Sequence, residues 1–347
     1  MENVELKEKE VQEESVDTPL DKNVRLMSPT RMLLRRFFRS KLSVAGLIMI
    51  VALFLFCFAG PLVYNQWDQN ESDKSGKTKY ATTEFAEGNA TIHTTVETFE
   101  ENNSEAPISK DHPLGTDKIG QDTLTRLMHG GQVSLIVSFM TVFLMTIFGV
   151  LFGGLAGYFG GWVDNLIMRV CDVLTCLPGM PIMLIIGSAM NAWQEAGIIE
   201  PTWRIYILMI SLTLISWTGI ARLVRGQILS LREQEFMVAA EAMGYSTGRK
   251  IFKHLVPNVM PQLIVQMTLS LGSMILYEAT LSFFGIGVPP EQAAWGSMIE
   301  IISKDTGILQ NHPLIWLPAG ICIVIAVLGF NFVGDGLRDA LDPKARR

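Results

Sequence analysis

Ionisable residues are scarce where this 347-residue sequence is most hydrophobic. Charged residues make up 18% of the chain, below the roughly 25% usual in soluble domains. They gather between apolar runs rather than within them. An acid or base at the middle of a bilayer costs several kcal/mol and usually marks an ion or proton pathway. Four of the six apolar runs have none in their interiors. Of the other two, the run over 259–281 has only Glu278, near one end, and Asp164, Arg169 and Asp172 sit at the start of the run over 166–190. A carrier driven by protons or sodium would need buried acids, so that class is disfavoured. Cysteine is equally sparse: Cys57, Cys171, Cys176 and Cys322 lie in or beside apolar runs without CxxC spacing. That argues against a disulfide framework or a metal site. The five histidines, His93, His112, His129, His254 and His312, show no ligand spacing, and none stands beside a nucleophile or carboxylate in a catalytic arrangement. Ser75-Gly76-Lys77-Thr78 echoes the end of a phosphate-binding loop, but the first glycine that loop needs would fall at Glu71. From this chain no catalysis, metal, bound cofactor or nucleic-acid partner is expected.

What is present is hydrophobicity. Apolar residues make up 49% of the chain, and its mean hydropathy is +0.30. A bilayer core about 30 Å thick takes roughly 20 helical residues to cross. Six stretches suffice, approximately 42–63, 133–158, 166–190, 203–221, 259–281 and 314–334. Only helices satisfy their own backbone groups in lipid, so the expected class is all-α, a polytopic membrane protein with six transmembrane helices. Basic residues near span ends set orientation. Residues 22–41 carry Lys22, Arg25, Arg31, Arg35, Arg36, Arg39 and Lys41 without an acid. Residues 65–112 carry ten acids against four lysines. Arg222, Arg225, Arg232, Arg249, Lys250 and Lys253 lie between the fourth and fifth spans, and Lys344, Arg346 and Arg347 end the chain. Both termini are therefore expected in the cytosol. The organisation reads as a cytosolic tail and lead-in helix over 1–41, a first span over 42–63, an extracytoplasmic loop over 64–112, a five-helix core over 113–335 and a cytosolic tail over 336–347. The acidic, polar residues 1–21 read as disordered. Residues 31–41 could lie on anionic lipid as an amphipathic helix, or serve as a simple positive-inside anchor.

Glycine and proline punctuate two regions. Gly149, Gly153, Gly154, Gly157, Gly160 and Gly161 form a ladder of small residues suited to close helix approach. Leu177-Pro178-Gly179-Met180-Pro181 must interrupt backbone hydrogen bonding within the third span. Such a break can line a translocation path, with Pro178, Gly179, Pro181 and the intramembrane Glu278 as candidates, or it can be a packing kink. Residues 228–258 should form a compact knob on the cytosolic side. A helix over 231–243 would end at Gly244 as a left-handed cap, and Ser246 is placed to cap a second helix that Pro257 would end. Ala239, Ala240 and Ala242 would let a partner surface come close.

Three stretches carry a resemblance. The first is His112-Pro113-Leu114-Gly115-Thr116-Asp117, continuing to Gly130-Gly131. The second is Val238-Ala239-Ala240-Glu241-Ala242-Met243-Gly244 with His254 to Asn258 behind it. The third is Glu278 to Gly287 followed by Pro289, Pro290 and Trp295-Gly296. In this order the chain resembles an inner permease subunit of an ATP-binding-cassette importer for oligopeptides, dipeptides or nickel, most similar to the C-type subunit of a peptide permease. The resemblance implies the type I permease fold of ABC importers and a bacterial cell-membrane location. Its partners would be a second homologous permease subunit, two ABC ATPase subunits, an extracytoplasmic substrate-binding protein and membrane lipid, with a peptide as substrate. ATP and Mg would be used by the ATPases alone. The second stretch matches the family's EAA loop. By that resemblance Ala239, Ala240 and Gly244 would couple to the ATPase, alongside Arg232, Glu241, Arg249 and Pro257. Val238 stands where the name-giving glutamate usually is. The long loop 64–112 favours oligopeptides. A nickel or other small-solute permease, a secondary carrier and a non-transporting scaffold are the alternatives.

Overall fold

A computed structural model describes residues 29–85, 92–289 and 292–341. The acidic leader, Lys22, Arg25, Pro290 and the basic residues at 344–347 lie outside the described residues. Helix α1 (Pro29–Arg39) leads into α2 (Lys41–Val63). A hairpin of β1 (Gly76–Phe85) and β2 (Ile92–Glu101) follows. Then come α3 (Thr123–Phe159), the bent pair α4 (Gly161–Cys176) and α5 (Gly179–Glu195), α6 (Pro201–Arg232), α7 (Glu235–Ala242) and α8 (Thr247–Phe283). Two short helices, α9 (Trp295–Lys304) and α10 (Thr306–Asn311), precede α11 (Pro313–Leu341). Five helices are long and apolar enough to cross a membrane, and α4 with α5, bent by 78° at their break, make a sixth crossing if counted as one span. The protein is a multi-pass membrane protein.

The architecture bears out the all-α membrane class, adds one hairpin outside the spans, and corrects one expectation. Residues 76–101 form an antiparallel hairpin, registered from Gly76 opposite Glu101 to Phe85 opposite Ile92. Its threonine-rich, alternating sequence suits strands. The all-α class holds for the membrane-crossing body, and the hairpin stands outside it. The correction concerns Pro257, which does not end a helix: it lies inside the 37-residue α8. The reason is a π-helical turn, Lys250–Leu255, just before it, in which the Val256 N–H reaches back to Ile251 O. The widened turn makes room for a ring that would clash with the carbonyl four residues back. The same device recurs in α2, where the π turn Leu55–Ala59 precedes Pro61. There Cys57 O, the carbonyl Pro61 cannot serve, accepts from the Gln132 side chain at 2.7 Å.

Small residues set the core. Gly149, Gly153 and Gly157 recur every four residues on α3, and a Cβ added to them would lie 2.5 Å from Ile220, 2.4 Å from Ala221 O and 2.9 Å from Arg225 O on α6. Only hydrogen allows this approach, and the close backbones provide the dispersion contacts that hold helices together in lipid. Gly160 and Gly161 instead form the turn into α4, at φ of +65° and +54°. Gly46 of α2 meets Gly329 and Phe332 of α11 in the same close manner. The hairpin stands at one end of the bundle, and the starts of α3 and α6 share that end. The ends of α3 and α6, helix α7, the start of α2 and the end of α11 meet at the opposite end.

Candidate functional site

The knob at the end opposite the hairpin is built from two breaks and one turn. Helix α6 stops at Arg232, and α7 restarts at Glu235 after a two-residue joint, so 231–243 is not a single helix. Gly244 then adopts φ +71°. Its N–H donates to Glu241 O at 2.9 Å and that of Tyr245 to Ala240 O at 3.2 Å, a Schellman closure of the last turn. Ser246 takes the N-cap position of α8, but its side chain makes no capping bond. The knob is held against the bundle through Tyr158, at the end of α3. Arg232 donates to its carbonyl oxygen at 3.0 Å, and the Lys250 ammonium lies 5.6 Å from its ring centroid. Lys250 also faces Glu241 at 3.7 Å. Arg249 lies over the Tyr245 ring, which stacks on His254.

A short amphipathic helix can bury one face only. In α7 the buried positions are Met237 and Ala240, three apart; Ala240 is 1% exposed and does not reach the surface as expected. The outward face carries Val238 (63% exposed), Ala239, Glu241 and Met243 (61% exposed).

The second candidate region is the break between α4 and α5. Leu177 turns to extended backbone, Pro178 caps α5, and Gly179 and Pro181 lie in its first turn. Proline is tolerated there because first-turn N–H groups have no intrahelical acceptor. A Cβ on Gly179 would come within 3.4 Å of the Tyr277 hydroxyl and 3.9 Å of Ile215, so the break lies against both α8 and α6. The bent pair presents Leu166, Val170, Val173, Leu177, Leu184 and Ile185 outward.

Glu278, the fourth path candidate, is not brought to this break. It is 0% exposed and sits in a closed knot at the hairpin end. Ser282 Oγ donates to its Oε1 at 2.8 Å and accepts from Val288 N–H at 3.3 Å. Arg204, at the start of α6, reaches across to donate to Gly287 O and Gly285 O, both at 2.8 Å. Trp295, also 0% exposed, donates through Nε1 to Leu127 O at 3.0 Å. The glycines of this stretch are spacing residues: a Cβ on Gly296 would lie 2.5 Å from Ser282 Cβ, and one on Gly131 would lie 2.6 Å from the Trp295 ring. Arg204 and Tyr277 carry no signal in the sequence beyond their types; only the fold brings them to these places.

Between the hairpin and α3, His112 is clamped on both ring nitrogens, by Asp122 Oδ1 at 2.9 Å and Asp73 Oδ2 at 3.3 Å. Trp67 packs over the imidazole with ring centroids 4.6 Å apart. Asp122 also caps α3 by accepting from Thr125 N–H at 2.8 Å. Burial raises the pKa of Asp73, but hydrogen bonds from Asn103, Ser75 and His112 outweigh it and hold the carboxyl at about 2. Among the described residues no group of three or more His, Cys, Asp or Glu is placed to hold a metal ion.

Residues 149–347 match the family model for the binding-protein-dependent transport system inner membrane component. Residues 28–79 match the N-terminal transmembrane domain of oligopeptide transport permease C. The chain is 34% identical over 313 residues to the oligopeptide transport system permease protein OppC of Bacillus subtilis (strain 168), covering 90% of this chain and 88% of that one. It is 35% identical over 320 residues to the dipeptide transport system permease protein DppC of Alkalihalophilus pseudofirmus, covering 92% and 91%. A solved structure of the MetNI methionine ABC transporter in inward-facing conformation overlaps 62% of this chain and 96% of that one at 18% identity, with a TM-score of 0.46. With five long apolar helices and the bent pair, the knob between α6 and α8, and a family match over more than half its length, the chain belongs to the binding-protein-dependent transport system inner membrane components.

Proposed function

We propose that the chain is a permease subunit of an ATP-driven ABC importer for peptides, oligopeptides in particular, in a bacterial cell membrane. It forms the path with a second homologous permease chain and couples to two cytosolic ATPase subunits. A substrate-binding protein delivers the peptide at the hairpin end. Both termini and the knob lie in the cytosol. The observation that carries this reading is the outward face of α7. Val238, Ala239 and Met243 stand beyond the lipid-crossing part of the bundle, on a knob pinned through Tyr158, where they are exposed among the described residues. Exposed apolar groups outside lipid gain from a partner surface. The partner fits an ATPase because the chain itself has no nucleotide-binding pattern. The names of the full-length relatives support peptides as the cargo, and the match over 28–79 supports oligopeptides. The bent pair supports a path shared with a second chain, because its outward apolar row lies beside Pro178, Gly179 and Pro181.

The test is affinity purification of the tagged chain from mild detergent, with mass spectrometry of what remains bound. Recovery of a second six-span chain and one or two ATPases is expected. Recovery of the chain alone, or only as a homo-oligomer, would remove the reading.

A further inference from the structure

Two ion pairs join the helix that carries the knob to the helix that carries the break. On α6, Arg222 and Arg225 are three residues apart and so share a face. On α4, Asp164 and Asp172 are eight apart, also on one face. Arg225 grips Asp164 with both ends of its guanidinium: Nε donates to Oδ1, and Nη2 to Oδ2 at 2.5 Å. Arg222 Nη2 donates to Asp172 Oδ1 and to Thr175 Oγ1, each at 3.1 Å. The earlier aspartate pairs with the later arginine, so the helices run in opposite directions, and the pairs splay from about 4.5 Å apart along α6 to about 12 Å apart along α4, a short ladder that widens towards α4. From Arg225, α6 continues without a break to Arg232, the Glu233–Gln234 joint and α7. From Asp172, α4 continues for one turn to Leu177 and the 78° bend.

The geometry matters because of what each helix can do. Between apolar helices in lipid, association rests largely on van der Waals packing, which has no directional bonds of its own. A bidentate arginine–carboxylate pair fixes both distance and rotation. The Asp164 carboxylate is largely enclosed, its side chain 14% exposed, so an unpaired charge there is costly. A displacement of α6 is therefore passed to α4 rather than lost between them, and α4 is separated from α5 by the extended backbone at Leu177 and Pro178, where the helix is interrupted.

We propose that Asp164–Arg225 and Asp172–Arg222 are positioning pairs that carry movement of the knob to the break between α4 and α5, so that events at α7 reset the path. This rests on the reading of α7 as the ATPase-coupling segment.

The test uses the complete importer, purified and reconstituted in vesicles, with ATP-dependent peptide uptake and ATP hydrolysis both measured per assembled complex. Asp164→Arg and Arg225→Asp should each lower uptake by about tenfold or more while hydrolysis stays within about twofold. The double reversal D164R/R225D should return uptake to within about threefold of the parent. If a single reversal does not assemble, Asp164→Asn, which keeps the side-chain size, carries the same expectation. A parent complex without ATP-dependent uptake would refute the coupling reading and the ladder with it. A transporting parent whose single variants also transport would refute the ladder alone. So would uptake and hydrolysis falling in step, which marks a purely structural pair, or a double reversal that recovers nothing.

Discussion

Gly244 allows the coupling reading to be tested at one backbone torsion. A Cβ there would meet nothing within 4 Å, so side-chain sterics are absent and φ of +71° is the only constraint. For an ordinary L-residue, holding left-handed helical backbone costs roughly 1–2 kcal/mol; asparagine bears less because its side chain bonds locally. Gly244→Ala should thus shift the knob's closed population by a factor of about 5–30, and Gly244→Asn by less. Gly244→Pro cannot reach this torsion, removes the N–H that bonds Glu241 O at 2.9 Å, and disfavours the helical backbone of Met243. Its cost is about 3 kcal/mol or more, enough to dissolve the Schellman closure. The knob packs on the bundle through Met237 and Ala240, but Gly244 itself is exposed, so thermal unfolding of the membrane body should change little. The assay is ATP-dependent uptake with retention of the ATPase on the tagged complex, expected to fall in the order Gly, Asn, Ala, Pro. Full uptake by the proline variant would refute the claim that this turn shapes the coupling surface. Equal loss in alanine and asparagine, or loss that tracks the melting temperature, would refute the torsional reasoning.

Two further expectations concern the hairpin end. Trp295→Ala empties a fully buried ring site and should cost about 3–5 kcal/mol of stability, whereas Trp295→Phe, losing mainly the bond to Leu127 O, should cost about 1 kcal/mol beyond the smaller ring. Thermal melts in detergent should order them parent, Phe, Ala; indistinguishable melts would show that the knot does not limit stability. Asp73 has a folded pKa of about 2 against an ordinary 3.8. Its contribution is therefore fully present above pH 3.8 and is lost as pH falls through about 2. Hydrogen exchange across 64–122 should rise in that window in the parent and already be raised at neutral pH in Asp73→Asn; identical pH profiles for the two would refute the linkage.

The reach of the sequence followed the range of the forces involved. Span number and the knob's glycine turn are local properties: a 20-residue apolar run or one left-handed residue states its own conformation. The ladder Gly149, Gly153 and Gly157 was equally legible, because a spacing of four puts small residues on one helix face. Pro257 by its residue type signals a stop, while the π turn before it, which lets the helix continue, depends on six neighbours acting together. Ala240 misled because the burial of a helix face is decided by what that face meets. Arg204, Tyr277 and the two aspartate–arginine pairs lie at contacts separated by tens of residues in sequence, and no spacing announces them. Amino-acid order alone determined a multi-span body, the break at Pro178 to Pro181 and the segment between the fourth and fifth spans, since lipid forces every crossing to satisfy its own backbone. Only the tertiary structure decided that Glu278 serves a closed knot rather than the break, that α7 turns Val238 and Met243 outward, and that α6 grips α4. Those outcomes depend on which helix faces which, a choice lipid leaves to packing and to a few directional charges.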